Sequence, residues 1–279
     1  MTIKLDCCEF YITNICNLTC ENCNRFNNFD TKGRVEFDVS MYEWTKDFEF
    51  GYIGIIGGEP LLHPNLGEWV DGIRSLFPTE GIVITSNGTQ INKHPGLFDI
   101  VTRNNARLEI SLHDKAIDAY IWEQIETFKE KGTNWIEDKT EFTVPDRDGN
   151  DIGLESHNLR CDERFTFTFT DAHYFQQNQF QSWIDGKPKP CNSDPNDAHY
   201  ACGIKNSHTF YNGKLYKCGF IPSVIEYLDQ HQAKEGWEKV YNYEPHSSTD
   251  NISRLTEPED VCSLCPSKYC FSKVKTSFK

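Results

Sequence analysis

Tyr52-Ile53-Gly54-Ile55-Ile56-Gly57-Gly58-Glu59-Pro60 reads as a short buried strand ending in a paired-glycine turn. Beyond Pro64, residues Leu66, Trp69, Val70, Ile73 and Phe77 recur at helical spacing and give a helix one apolar face. The unit repeats downstream. Residues 81–85 form the next strand, closed by Asn87-Gly88, and residues 108–112 form another. Ile117, Ile121, Ile125 and Phe128 mark a helix whose end carries Lys129, Lys131 and Gly132. Upstream, residues 4–13 are an opening strand, and Ser40-x-x-Glu43 has the capping-box spacing of a helix start. This alternation predicts the α/β class, with a parallel sheet and helices packed outside it.

The pattern weakens beyond residue 132. Residues 133–159 lack a clear period and contain a turn at 145–150. Phe165, Phe167 and Phe169 alternate with Thr166, Thr168 and Thr170, a strand period. Residues 174–184 are expected to form a helix, and Lys187-Pro188-Lys189-Pro190 a boundary. The expected organisation is an α/β domain over 1–186 and a small cysteine-rich domain over 187–279. In the second, residues 209–211 and 215–217 flank Asn212-Gly213, a hairpin signal.

Composition narrows the function. The 279 residues include 28 Lys+Arg against 42 Asp+Glu, a net charge of −14. The average field repels nucleic acid, which is not an expected partner. Aromatic residues make up 13%, enough for a sizeable core. No apolar run reaches the ~20 residues that span a bilayer, and residues 1–6 lack a signal-peptide pattern. A cytoplasmic protein without membrane partners is expected. There, 12 cysteines in clusters point to metal ligation rather than disulfides.

The sharpest cluster is Cys16-Asn17-Leu18-Thr19-Cys20-Glu21-Asn22-Cys23, just after the first strand. Three thiolates in one short loop can wrap a soft metal centre. A structural zinc site usually takes four protein ligands, so a set of three leaves one position open. The alternative for these residues alone is a zinc knuckle or buried thiols. Cys-x3-Cys-x2-Cys in this place resembles the radical S-adenosylmethionine (SAM) superfamily. Further residues match in order: Gly57-Gly58-Glu59-Pro60 resembles its GGEP motif, and Thr85-Ser86-Asn87-Gly88 its loop after the third strand. Ser111-Leu112-His113-Asp114 follows the fourth strand, where the family contacts ribose or substrate. The family commonly has an aromatic residue before the third cysteine, where this chain has Asn22. A fifth-strand Gly-x-Ile-x-Gly-x-x-Glu motif has only a faint counterpart at 151–155.

The resemblance implies a partial (β/α)6 barrel. It implies a [4Fe–4S] cluster on Cys16, Cys20 and Cys23, with SAM held by Gly57, Gly58, Glu59, Ser86, Asn87 and Ser111. His113 and Asp114 are base candidates by position.

A second set follows. Cys202 and Cys218 flank the hairpin signal, and Cys262-x2-Cys265 comes later, with Cys191 and Cys270 as further thiols. Four thiolates close either a [4Fe–4S] cluster or a zinc site. The spacing resembles the twitch-type auxiliary domain of radical SAM enzymes, which implies a second [4Fe–4S] cluster on Cys202, Cys218, Cys262 and Cys265. Cys7, Cys8 and Cys161 read as small buried hydrophobes.

The resemblance further implies an oxidoreductase that cleaves SAM to a 5′-deoxyadenosyl radical and abstracts a substrate hydrogen. Its small twitch-type members point to a sugar-like or other small-molecule alcohol, with the auxiliary cluster as electron acceptor. A flavodoxin- or ferredoxin-type protein is the expected reductant. The lysines of residues 267–279, a stretch without acidic residues, offer it a docking tail near the auxiliary cluster or are simply solvated. One alternative is a peptide- or protein-modifying maturase. The 15 residues before Cys16 leave no room for a leader-binding domain, which counts against it. The other is a non-catalytic metal-binding module.

Overall fold

The computed structural model describes residues 2–20, 23–26, 33–77, 79–145, 150–171, 174–176, 182–184, 187–268, 271–273 and 276–279. The strands are β1 (Ile3–Thr13), β2 (Leu18–Cys20), β3 (Phe48–Gly57), β4 (Thr79–Ser86), β5 (Ala106–Leu112), β6 (Ile136–Pro145), β7 (Asp151–Arg160), β8 (Thr166–Asp171), β9 (Tyr174–Gln176), β10 (Ser182–Ile184), β11 (Lys187–Lys189), β12 (Ser207–Tyr211), β13 (Lys214–Tyr216), β14 (Phe271–Lys273) and β15 (Thr276–Phe278). The α-helices are α1 (Leu66–Leu76), α2 (Leu97–Arg103), α3 (Lys115–Phe128), α4 (Pro195–Ala201), α5 (Phe220–Gln230) and α6 (Glu238–Tyr241).

One sheet of nine strands, ordered β13-β12-β1-β3-β4-β5-β8-β7-β6, organises the chain. Within it β12, β1, β3, β4, β5 and β8 run parallel to their neighbours. Antiparallel hairpins close both ends, β12–β13 on one side and β6–β7 with β8 on the other. The class is therefore α/β with a largely parallel sheet, as the alternation predicts.

Helix periodicity explains the outer layer. Leu66, Trp69, Val70 and Ile73 of α1 are buried, as are Ile117, Ile121, Ile125 and Phe128 of α3. They meet Phe10, Ile53, Ile55, Ile82, Ile84, Leu108 and Ile110 from one face of the sheet. Aromatic contacts tie in the hairpin, since Phe10 stacks on Phe210 at 4.9 Å between ring centroids. Phe165, Phe167 and Phe169 are fully buried, as their alternation predicts. The opposite face carries Glu9, Tyr52, Thr85, Glu109 and Ser111, so it is polar. A second apolar cluster lies in the C-terminal segment around Phe220, Val224, Leu228, Trp237 and Leu264, and takes in Phe26 from the N-terminal one.

Several local expectations change. The segment expected as a helix over 174–184 contains β9 and β10, with 177–181 outside the described residues. Short strands form there because partners supply the hydrogen bonds: the remote β14 pairs with β9, and the adjacent β11 with β10. Lys187–Lys189 is thus a strand rather than a linker. The capping box at Ser40 is replaced by a 3-10 turn, Val39–Thr45, in which Asp38 accepts from the Ser40 N–H at 2.9 Å. Residues 151–155 lie in β7, an antiparallel strand, and not on a fifth parallel strand. Four residues of the expected 145–150 turn, 146–149, lie outside the described residues. Six successive strand–helix units are not observed among the described residues, because the β6–β7 hairpin follows α3 where another unit was expected. No helix among the described residues is long and apolar enough to cross a membrane.

The hairpin turn is the left-handed pair Asn212 (φ 49°) and Gly213 (φ 71°). A Cβ on Gly213 would stand 2.8 Å from the Met41 Cβ as well as straining the backbone. Gly213→Ala is expected to cost about 1–3 kcal/mol, read as a lower denaturation midpoint in a urea titration followed by circular dichroism.

Candidate functional site

The carboxyl ends of β1, β3, β4 and β5 surround a cavity of about 250 Å³. Cys16, Cys20 and Cys23 line it together, and Gly57, Gly58, Ser86, Asn87, Ser111 and His113 complete much of the wall. The turn holding the third cysteine is set by backbone bonds from the Cys23 N–H to the Cys20 carbonyl (3.3 Å) and from the Phe26 N–H to the Cys23 carbonyl (3.1 Å). Asn22 lies outside the described residues. Residues 18–20 gain a strand partner from the far end of the chain, because β15 pairs with β2 and Thr276 opposes Cys20. The basic tail thus runs back to the first cysteine loop, and the Lys279 N–H donates to the Asn17 carbonyl at 3.0 Å.

The paired glycines serve close approach. The Gly58 N–H donates to Thr13 at 2.7 Å and the Glu59 N–H to Ile15 at 2.8 Å. A Cβ on Gly57 would collide with the Thr13 carbonyl oxygen, and one on Gly58 with the Ile15 carbonyl oxygen. Only glycine lets the cysteine loop lie against the end of β3.

Glu59 is fully buried and does not line the cavity. Its carboxylate accepts from the Leu61 N–H (2.9 Å), the Ser86 hydroxyl (2.8 Å) and the Asn87 N–H (2.7 Å). Its observed contacts therefore bind the end of β3 to the end of β4. Burial pushes its carboxyl up to about 7 despite these donors. Asn87 faces the cysteines, with its amide donating to the Cys16 sulfur at 3.8 Å and to Asn17 at 3.0 Å. Of the two base candidates, His113 faces the cavity. Asp114 instead caps α3, accepting from the Ala116 N–H at 3.0 Å.

Three charged residues of the wall were not singled out from sequence: Glu9, Arg25 and Glu109. The available signal was a charge interrupting an apolar run for Glu9 in β1, and a polar position of the alternating β5 for Glu109. Burial raises the Glu109 carboxyl, and the charge of Glu9 adds to the effect while Arg107 opposes it.

A second, smaller cavity of about 30 Å³ brings Cys202, Cys218, Cys262 and Cys265 together. Cys202 ends α4, Cys218 follows β13, and Cys262 and Cys265 belong to a 3-10 turn and its cap. Cys191 is tied to this turn through its N–H to the Leu264 carbonyl (3.1 Å) and feels the Cys265 sulfur electrostatically. Cys270 lies outside the described residues. Lys217, also missed from sequence, lines this cavity and is 3% exposed. Its ammonium donates to the carbonyls of Arg254 (3.3 Å), Leu255 (2.7 Å) and Glu257. Among the outlying cysteines, Cys7 and Cys8 are buried and Cys161 is half-buried.

Burial raises thiols in both sets. It pushes Cys16 and Cys20 up to about 12, with added repulsion from Glu59 on Cys16 and from Cys23 on Cys20. Cys218 also rises to about 12, by burial and then by its cysteine neighbours. Such groups become thiolates only beside concentrated positive charge, which a metal centre supplies. Soft sulfur donors suit iron–sulfur clusters and zinc alike. Among the described residues, no three His, Cys, Asp or Glu side chains converge closely enough to hold a single metal ion. The two sets are cysteines sharing a cavity rather than formed coordination spheres. No known family model matches the chain, and no curated protein matches it significantly.

The Glu59 carboxyl titrates higher in the folded chain, about 7, than its ordinary 4.5. The folded state therefore binds this proton more tightly. Its contribution to stability is complete below about pH 4.5 and is lost as pH rises through about 7. On reduced, metal-free protein, the stability of the parent relative to Glu59→Gln is expected to fall by about 2–3 kcal/mol from pH 5 to pH 8. Urea titrations across that range measure it, and parallel curves would contradict the buried carboxyl.

Proposed function

We propose that the chain is a radical SAM enzyme carrying a second iron–sulfur centre. The observation that carries this reading is the convergence of Cys16, Cys20 and Cys23 on one cavity with Gly57, Gly58, Ser86, Asn87 and Ser111, at the carboxyl ends of parallel strands. That end is where parallel α/β folds gather ligand-binding loops. In this reading the parallel strands belong to a partial barrel and the C-terminal segment to a twitch-type domain.

The first three cysteines would hold a [4Fe–4S] cluster and leave one iron for SAM. Bound there, the pair would supply a 5′-deoxyadenosyl radical that removes a hydrogen atom from substrate. The chain's own residues prepare the place. Gly57 and Gly58 keep the wall thin, and Glu59 locks the β3 and β4 loops together. Asn87 orients the Cys16 sulfur. Ser111 offers a hydroxyl to ribose or substrate, and His113 is the base candidate at the wall. Asp114, committed to its helix cap, is dropped from that role.

Cys202, Cys218, Cys262 and Cys265 would hold the second [4Fe–4S] cluster, with the Lys217 ammonium offsetting thiolate charge. The substrate proposed is a sugar-like or other small-molecule alcohol, oxidised with the second centre as electron acceptor. A flavodoxin- or ferredoxin-type protein in a reducing, cytoplasmic setting would deliver the first electron.

Anaerobic reconstitution followed by iron, sulfide and 5′-deoxyadenosine assays tests the proposal. About eight iron per chain are expected for two [4Fe–4S] clusters. Deoxyadenosine should form with SAM and reductant, and fall to background in Cys16→Ala. About four iron with the same activity would make the second site zinc or empty and remove the electron acceptor. Full iron without deoxyadenosine would overturn the enzyme reading.

A further inference from the structure

Arg25 lies two residues beyond Cys23 and reaches the neighbourhoods of both cysteine sets. It lines the first cavity, and its side chain is 10% exposed. From Nη2 it donates to the Glu9 carboxylate at 2.5 Å. The same Glu9 oxygen accepts from the Thr209 hydroxyl at 3.2 Å. The guanidinium carbon stands 6.0 Å from the centre of the Tyr11 ring. On its other side, Nη1 fills the space that a Cβ on Gly219 would need. Gly219 directly follows Cys218, a member of the second set. One side chain therefore spans from the wall of the first cavity to the backbone beside the second.

The charge on this side chain is secure, because a guanidinium keeps its proton in a protein and the Glu9 carboxylate pairs with it directly. Within a dry interior a fixed charge acts strongly on its surroundings. Adding an electron to a thiolate-bound cluster adds negative charge, and a nearby cation favours the reduced form. Net charge and hydrogen bonding near a cluster are the protein's means of setting its potential.

We infer that Arg25 is the positioning residue linking the two centres, and that its charge, partly offset by Glu9, raises the potential of the second one. This inference rests on the two-cluster reading above. The step it serves balances as follows. After loss of a hydrogen atom to the deoxyadenosyl radical, the substrate radical has one electron and its hydroxyl proton left to lose. An oxidised cluster held by Cys202, Cys218, Cys262 and Cys265 would accept that electron, a one-electron reduction. The proton passes to the His113 imidazole, and the alcohol carbon becomes a ketone. The requirement for glycine at position 219 follows from the same geometry, since any larger residue would displace the guanidinium.

The test is a redox titration of the reconstituted holoenzyme, followed by electron paramagnetic resonance. The Cys16→Ala variant provides the reference spectrum of the second cluster alone. Iron content and thermal midpoint are measured for every variant. Arg25→Met is expected to lower the reduced-to-oxidised ratio of the second cluster at least tenfold at fixed potential, a shift of about 59 mV for one electron. Arg25→Lys, which keeps the charge, should stay within about threefold of the parent. Glu9→Gln removes the countercharge and should shift the ratio the opposite way. Opposite signs from the two neutralising variants cannot come from loosened packing alone. Unchanged ratios at full iron content, or shifts of the same sign in both variants, would overturn the inference. Iron content too low for a second cluster in the parent protein would overturn the two-cluster reading beneath it.

Discussion

The carboxylate of Glu59 is the fastening on which the first site depends. It is sealed from water and bridges the end of β3 to the end of β4 through donors at Leu61, Ser86 and Asn87. The paired glycines before it receive the loop after β1, and Asn87 beyond it reaches the Cys16 sulfur. Three separate strand ends are thus held in one arrangement by a single buried group and two missing side chains. A buried acid with three donors costs less than a bare one, but it remains expensive. Its burial goes with its place between these loops, where all three donors are within reach.

Charge is distributed unevenly against this frame. The chain is acidic overall, at −14. Yet cations are enclosed beside the cysteines: Arg25 at the first cavity and Lys217 at the second. Both are anchored, Arg25 by Glu9 and Lys217 by backbone carbonyls. Enclosed cations near thiols reduce the cost of gathering sulfur ligands in a poorly solvated place. The outer charge is thus negative, while the charge enclosed beside the cysteines is positive.

Much of this was legible in sequence because it is written locally. Cys16, Cys20 and Cys23 lie in one loop, and the glycines of residues 57–58 close an apolar run. The helices α1 and α3 follow directly from their apolar spacing. Glu9 was harder, because β1 is enclosed on both faces and gives little alternation to interpret. Glu109 is one of three polar residues in the regular alternation of β5, and Arg25 lies in a turn without any period. The β6–β7 hairpin was obscured for another reason. Ile136 and Phe142 are exposed in it, at 62% and 39%, so apolar residues there do not mark an inner face. The short strand β9 was invisible locally, since its partner β14 lies about a hundred residues further along, and β10 pairs with the neighbouring β11 in a stretch whose two prolines do not read as strand.

Long-range pairing has a consequence for the order in which the molecule can be built. The strand β1 is flanked by β12, and the Cys7–Ser207 contact joins residues 200 positions apart. The first cysteine loop receives its own strand partner, β15, later still. On a ribosome that loop emerges well before either partner exists. Its early thiols must wait, exposed and unframed, while most of the sheet is being made. Closing such distant contacts is slow compared with local helix formation. The interval before those contacts close is when these cysteines are most open to oxidation.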